Sequence, residues 1–300
     1  MFPPRVLFAL VLRNRQASSQ IPTTGAKSIG CARFMNNLGE GQQLVQTDID
    51  EEKGVATLTL NRPPANTLSL EMCEAISSAL TGLHAKPEIQ GLVLTSSNPA
   101  ILSAGLELDE LHNPDPDRLP KFWRSFQQVY IDLYGSRLST IAAIQGHAPA
   151  AGCMLAMCCD YRIMAASEEG KGGRIGLNET LLGIAAPPWL GQLMVRTIGF
   201  RSAERALALG LLFGPEEALN AGLVDKVVPK GGVMEASQRE AAKWASIPPQ
   251  ARVSSKLLAR KEFIENIDRE KDTKDFCSFL LNDTVQENLK EYLDNLKKRR

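Results

Sequence analysis

Histidine is scarce in this 300-residue chain, and the three present, His84, His112 and His147, are too scattered to build a metal triad. The six cysteines, Cys31, Cys73, Cys153, Cys158, Cys159 and Cys277, form no C-x-x-C pair and no cysteine/histidine cluster. Neither a zinc site nor a disulfide framework is expected, and the thiols fit a reducing compartment as small core residues. No G-x-S-x-G elbow occurs, which weakens the case for hydrolysis by a serine triad. No apolar run reaches the roughly 18 residues needed to span a bilayer; Val6 to Leu12, the clearest run near the start, is far shorter. Acidic residues are missing from the first 39 positions, which hold five basic ones: Arg5, Arg13, Arg15, Lys27 and Arg33. With its serines, threonines and small apolar patch, that leader has the composition of a mitochondrial transit peptide, a disordered N-terminal arm being the alternative. The chain ends K-K-R-R rather than in an S-K-L type signal, which disfavours a peroxisomal address.

The total charge of zero hides this asymmetry: after the leader, 29 basic and 34 acidic side chains leave a net of −5. A nucleic-acid binder would favour a basic face, because phosphate contacts supply most nonspecific affinity. A hydrophobic content of 44% is enough for one large domain or two modest ones.

Strand signals and helix signals alternate in the first two thirds. Gly54 to Leu60 alternates apolar and polar residues like a half-buried strand, and Asn61-Arg-Pro-Pro-Ala-Asn66 breaks it. Ser69 is placed to cap a helix whose apolar face is Cys73, Ile76, Leu80 and Leu83. Buried strands are expected over 91–96 and 140–144, an aromatic-rich amphipathic helix over 120–137, an apolar helix over 153–159, and further strands over 160–165 and 223–228. Two small-residue turns, Ser103-Ala-Gly105 and Gly146-His-Ala-Pro-Ala-Ala-Gly152, expose backbone N–H groups where negative charge can be held. From Leu190 onward the pattern is predominantly helical, apart from the expected 223–228 strand, and no strict internal repeat is present.

One carboxylate stands apart. Glu179 is followed by Leu181, Leu182, Ile184, Ala185, Ala186, two prolines and Trp189, with no charge until Arg196. A carboxylate against such neighbours is poorly solvated when ionised, so its pKa should rise toward the range of a general base working near neutral pH. A surface glutamate in a loop or helix cap is the alternative. Glu107 and Asp109, near the first small-residue turn, could also be bases, but helix-start carboxylates paired with N–H groups are the preferred reading.

Three segments together resemble the crotonase (enoyl-CoA hydratase/isomerase) superfamily: S-A-G-L-E-L at 103–108, I-Q-G-H-A-P-A-A-G-C-M-L-A-M-C-C-D-Y-R-I at 144–163, and I-G-L-N-E-T-L-L-G-I at 175–184. The similarity runs from about residue 46 to 298, and is strongest to the mitochondrial branch that moves a double bond, whose G-L-N-E-T segment and A-G-C turn this chain shares. The resemblance implies an α/β fold: a leader over 1–45, a spiral of β-β-α units over 46–245, and a helical trimerisation region over 246–300. It implies an acyl-CoA thioester as substrate, a homotrimer, the mitochondrial matrix as location, and no metal or redox cofactor.

By motif position, Leu106 and Ala151 would supply the two oxyanion-hole N–H groups and Glu179 the base. Alanine at 151 departs from the usual glycine. Ala104, Gly105, Glu107 and Leu108 would border the CoA moiety, and Asn178, otherwise a turn residue, would touch the acyl chain. Lys256, Arg260 and Lys261 are candidates for the CoA phosphates. Hydratases of the superfamily use two glutamates, the first at the position of Met154; a thioether neither takes nor gives a proton at neutral pH. The expected reaction is therefore one-base isomerisation of a 3-enoyl-CoA to the 2-trans isomer, with Met154 packing the acyl pocket. A hydratase with a relocated second acid, and a non-catalytic CoA- or RNA-binding homologue, are the competing readings.

Overall fold

The structure, a computed structural model, describes residues 43–298. The leader expectation falls on residues outside that range, except for its last three positions.

Eight strands and ten α-helices are found among the described residues. β1 (Val45–Asp50) pairs antiparallel with β2 (Val55–Leu60), and every further pairing in the main sheet is parallel. That sheet has the order β1-β2-β3-β4-β6-β8, with β3 at Gly91–Ser96, β4 at Ser139–Ile144, β6 at Tyr161–Ala165 and β8 at Lys226–Val228. Parallel neighbours need crossovers; the first three carry α1 (Leu70–His84), α2 (Leu119–Tyr134) and α3 (Ala151–Cys158), and the last, from β6 to β8, carries the three short helices between Pro188 and Asn220. Ser69 caps α1 by accepting from the Met72 N–H, and Cys73, Ile76, Leu80 and Leu83 are buried as the periodicity requires.

β3 and β4 are buried on both faces, which explains why Leu92 to Leu94 and Ile141 to Ile144 read as apolar runs without alternation. Their side chains still alternate: Leu92, Leu94, Ala142 and Ile144 face the large core beneath α1, α2 and α3. Val93, Ile141 and Ala143 face a smaller core closed by α7 (Val233–Ala245). β1 escapes a pattern search because V-Q-T-D-I-D is an edge strand, with only Val45 and Ile49 turned inward. The strand at the end of the spiral is shorter than the 223–228 expected.

A second, smaller ladder runs beside the main sheet. β5 (Ala148–Pro149) pairs with β7 (Ile175–Gly176), and isolated bridges join Leu68 to Leu106 and Ile101 to His147. Each pass of the chain thus adds one strand to the main sheet, one short pairing to the small ladder and one helix, which is the β-β-α spiral. Four short helices follow: α4 (Pro188–Ile198), α5 (Phe200–Leu209), α6 (Pro215–Asn220) and then α7. The chain finishes with α8 (Pro249–Glu265), α9 (Arg269–Leu280) and α10 (Asp283–Lys297). The small ladder matters most for the site, because both small-residue turns lie on it.

Candidate active site

Hydrogen bonds to backbone carbonyls and to one hydroxyl account for almost every N–H in the first turn. Ala104 donates to the Ala65 carbonyl at 2.9 Å, Glu107 to Leu68 at 2.9 Å, and Gly105 to Ser103 Oγ at 3.2 Å. Ser103 Oγ in turn donates to the Asn66 carbonyl at 2.7 Å, and the buried Asn66 amide bonds Ser96 and Leu102. Among the described residues, Leu106 is the one position from 104 to 107 whose N–H meets no acceptor. In the second turn Ala148 donates to Arg174 and Ala150 to Gly176, each at 2.8 Å. Ala151, the first residue of α3, has an N–H with no acceptor among the described residues.

The two turns touch. Gly105 has φ +105°, and a Cβ there would lie 3.0 Å from Ala150 Cβ and 3.6 Å from the Ala151 nitrogen. A Cβ on Gly152 would lie 2.4 Å from the Ser103 carbonyl oxygen, so glycine is needed for this approach. Alanine at 151 costs no backbone strain, since the positive φ falls one residue earlier, on Ala150 (φ 50°, ψ −123°). Two free N–H groups, one of them at the positive end of a helix, therefore converge where a developing oxyanion can be held.

Glu179 opens a short 3-10 turn, Glu179–Leu182. Thr180 Oγ1 donates to the Leu207 carbonyl at 2.8 Å, and Gly183, in the left-handed region, passes so near Asn288 of α10 that a Cβ would meet its amide at 2.6 Å. The turn is thus pinned from two sides. The carboxylate keeps some accessible surface, but that surface faces a cleft of about 730 Å3 whose walls around it are Leu181, Leu182, Ile184 and Ala185. Loss of hydration raises its pKa from 4.5 to about 7, with its own backbone N–H pulling weakly the other way. The sequence expectation for this residue is met in direction and cause.

Ala104, Leu106, Glu107, Leu108, Ala151, Asn178 and Glu179 all line this cleft, while Gly105 acts at the contact between the turns. Asn178 has its Oδ1 buried without a partner among the described residues. Glu107 is not a capping carboxylate: it pairs with Arg62 and accepts from Thr67 Oγ1 at 2.8 Å. The carboxylate that caps α1 is Glu110, which takes the Leu70 N–H at 2.9 Å. Met154 is fully buried behind the Ala151 turn, with Cys158 Sγ 3.5 Å from its sulfur, and does not line the cleft, contrary to the expectation for it.

Lys256 and Arg260 are not phosphate ligands in waiting. Both clasp the buried Asp160 at 2.9 Å, where Lys256 also donates to the Leu138 carbonyl and Arg260 to that of Tyr134. Lys261 pairs with Glu265 on the exposed face of α8. Pattern reading missed the contributions of Arg62 and of Tyr292 and Leu293 from α10 to the cleft, since only the tertiary fold brings them there. No group of three or more metal-ligating side chains occurs among the described residues.

A carboxyl group poised near neutrality and two free N–H groups in one apolar cleft define a site for moving a proton at the carbon beside a carbonyl. The family model for enoyl-CoA hydratase/isomerase matches residues 50–299, and the chain belongs to that family. It is 42% identical over 287 residues to "Enoyl-CoA delta isomerase 1, mitochondrial" of Rattus norvegicus, covering 95% of this chain and 96% of that one. The human protein of the same name is 41% identical, with 86% and 85% covered. The crystal structure of human mitochondrial delta3-delta2-enoyl-CoA isomerase superposes with a TM-score of 0.83 at 40% identity, over 86% of this chain and 99% of that one. A crotonyl-CoA hydratase of Syntrophomonas wolfei is more distant, at 30% identity over 74% of this chain and 84% of its own.

Proposed function

We propose that the chain is a mitochondrial Δ3,Δ2-enoyl-CoA isomerase of fatty acid β-oxidation, converting 3-cis- and 3-trans-enoyl-CoA to 2-trans-enoyl-CoA. The observation that carries this reading is Glu179, a carboxylate set among apolar side chains of the cleft and raised toward neutrality, in a cleft that the sealed Met154 does not line. Glu179 takes a proton from C2, and the C–H electrons pass into the thioester carbonyl to give a dienolate. The Leu106 and Ala151 N–H groups hold its oxygen, each worth roughly 3–4 kcal/mol in the transition state. The carboxylic acid so formed returns the same proton to C4 as the double bond settles at C2–C3. Atoms and charge balance with no redox partner, so the chemistry calls for no cofactor beyond the CoA that the substrate carries.

Ala104, Gly105, Glu107 and Leu108 border the CoA moiety in this reading, and Asn178 touches the acyl chain. Homotrimerisation, the division into a leader (1–45), a spiral core (46–245) and a helical region (246–300), and residence in the matrix remain parts of the proposal. Support for a mitochondrial site comes from the names of the rat and human relatives together with the basic leader.

A hydratase would need a second acid. The other carboxylates lining the cleft are Glu107, held by Arg62, and Asp109. The deciding experiment compares 3-hexenoyl-CoA isomerisation with crotonyl-CoA hydration by the same purified protein. Isomerisation well above hydration is expected; hydration at an equal rate would make a second acid necessary, and activity on neither would favour a non-catalytic binding protein.

A further inference from the structure

Away from the Glu179 turn, the cleft wall is aromatic, with Trp123 of α2 and Phe276 of α9 stacked at a centroid separation of 3.4 Å and 7° from parallel. Phe276 lies one helical turn after Asp272, on the same face of α9. A single oxygen of Asp272, Oδ2, accepts three N–H groups: Trp123 Nε1 at 2.8 Å, Gln127 Nε2 at 2.7 Å and Trp189 Nε1 at 3.2 Å. The donors come from two different helices, α2 and α4. Arg269 and Glu270 add contacts to α2 one turn earlier, but neither lines the cleft. Nothing in the proton transfer uses Asp272, yet hydrogen bonds to an ionised acceptor are the strong ones. They are spent here on the aromatic wall.

We infer that Asp272 is a latch that limits acyl length: its carboxylate pins Trp123 against Phe276, and so holds α9, with α10 beside it, against the apolar arm of the cleft. A longer chain must push this wall outward against three hydrogen bonds, whereas a short one does not reach it. Asp272 is a positioning residue, not a catalytic one. The inference rests on the isomerase reading only for the identity of the ligand as an acyl-CoA thioester.

The test uses octanoyl-CoA and dodecanoyl-CoA, saturated thioesters that cannot isomerise, titrated by calorimetry against the full chain and its Asp272→Ala and Asp272→Asn variants. The alanine variant is expected to shift the Kd ratio toward dodecanoyl-CoA by at least about fourfold, the worth of roughly one more buried methylene. Asparagine keeps an oxygen for the same three donors and should stay within about twofold of the parent. Equal changes at both lengths, or none, would overturn the latch. If the alanine variant does not fold, Gln127→Met, which deletes the 2.7 Å donor, must shift the ratio in the same direction, and an unchanged ratio overturns the inference. Binding needs no turnover, so a parent protein that binds both thioesters without isomerising 3-hexenoyl-CoA refutes the function and leaves the latch readable. A parent that binds neither overturns both.

Discussion

Replacing Glu179 by glutamine should do two opposite things, and their pH dependence separates this carboxylate from an ordinary one. In the folded protein its pKa stands at about 7 against a usual 4.5, because the apolar cleft strips its hydration. The folded state therefore holds a proton that the unfolded chain has already released between those two values. Stability linked to this group is fully present below pH 4.5 and is lost as the pH rises through 7. The gap corresponds to about 3 kcal/mol, an upper figure since the group retains some accessible surface. Glutamine has the same shape and no charge to desolvate. Relative to the parent, Glu179→Gln should gain little at pH 5 and progressively more up to pH 8. For a domain of this size the gain in Tm should differ by roughly 5–10 °C between the two ends. At pH 8, where the parent carboxylate is ionised, its isomerase activity should fall by about 10²–10⁴-fold, the usual contribution of a positioned base. Calorimetric melts of both proteins at pH 5, 6, 7 and 8, with initial rates on 3-hexenoyl-CoA, decide the matter. A Tm difference that stays flat across pH means the carboxylate is normally solvated, and activity within tenfold of the parent means the base lies elsewhere.

For the unmodified enzyme, kcat/KM should decline with unit slope below pH about 7, because the base must be ionised to act; a decline that starts only near 4.5 contradicts the raised pKa. Gly152→Ala places a methyl 2.4 Å from the Ser103 carbonyl and must part the two turns. A loss of about 1–3 kcal/mol in stability is expected, with kcat down by roughly 10–10² as Leu106 and Ala151 lose their alignment; denaturant melts and kcat that match the parent would remove the packing argument. Met154→Glu buries a carboxylate beside the Cys158 thiol, a weak donor, so the melt should drop by the equivalent of about 3 kcal/mol or more with crotonyl-CoA hydration still at background. A stable variant that hydrates would show that position 154 opens to the cleft.

Much of the fold was legible because its signals are local. Ser69 and the Cys73-Ile76-Leu80-Leu83 stripe announce α1, and β3 and β4 announce themselves by their apolar runs, Leu92 to Leu94 and Ile141 to Ile144. The edge strand β1 was not legible, since its register comes from β2 rather than from its own polar sequence. The basic residues of α8 show the same limit from the other side. Lys256 and Arg260 look like free cations in sequence, and only the fold brings Asp160, about a hundred residues earlier, between them. Glu110, rather than Glu107 or Asp109, caps α1 for a similar reason: which carboxylate reaches the start of that helix depends on where the 3-10 turn Leu108–Glu110 falls.

By itself the sequence determined the chemistry that residue identity decides: a lone glutamate in an apolar stretch, a thioether where a second acid would be needed, small residues in two turns, and 39 N-terminal positions without acidic groups. Those are properties of side chains and short-range backbone preference, and they hold wherever the chain goes. The tertiary structure decided what depends on distance. It left Leu106 as the free N–H of its turn by engaging its neighbours, set Ala151 beside it through the contact at Gly105, moved the strained φ onto Ala150, and sealed Met154 away from the cleft. It also brought α9 and α10 back over a site built mostly by the first two hundred residues. Hydrogen-bond satisfaction and close packing act between segments far apart in the chain, so they become visible only once the spiral has closed.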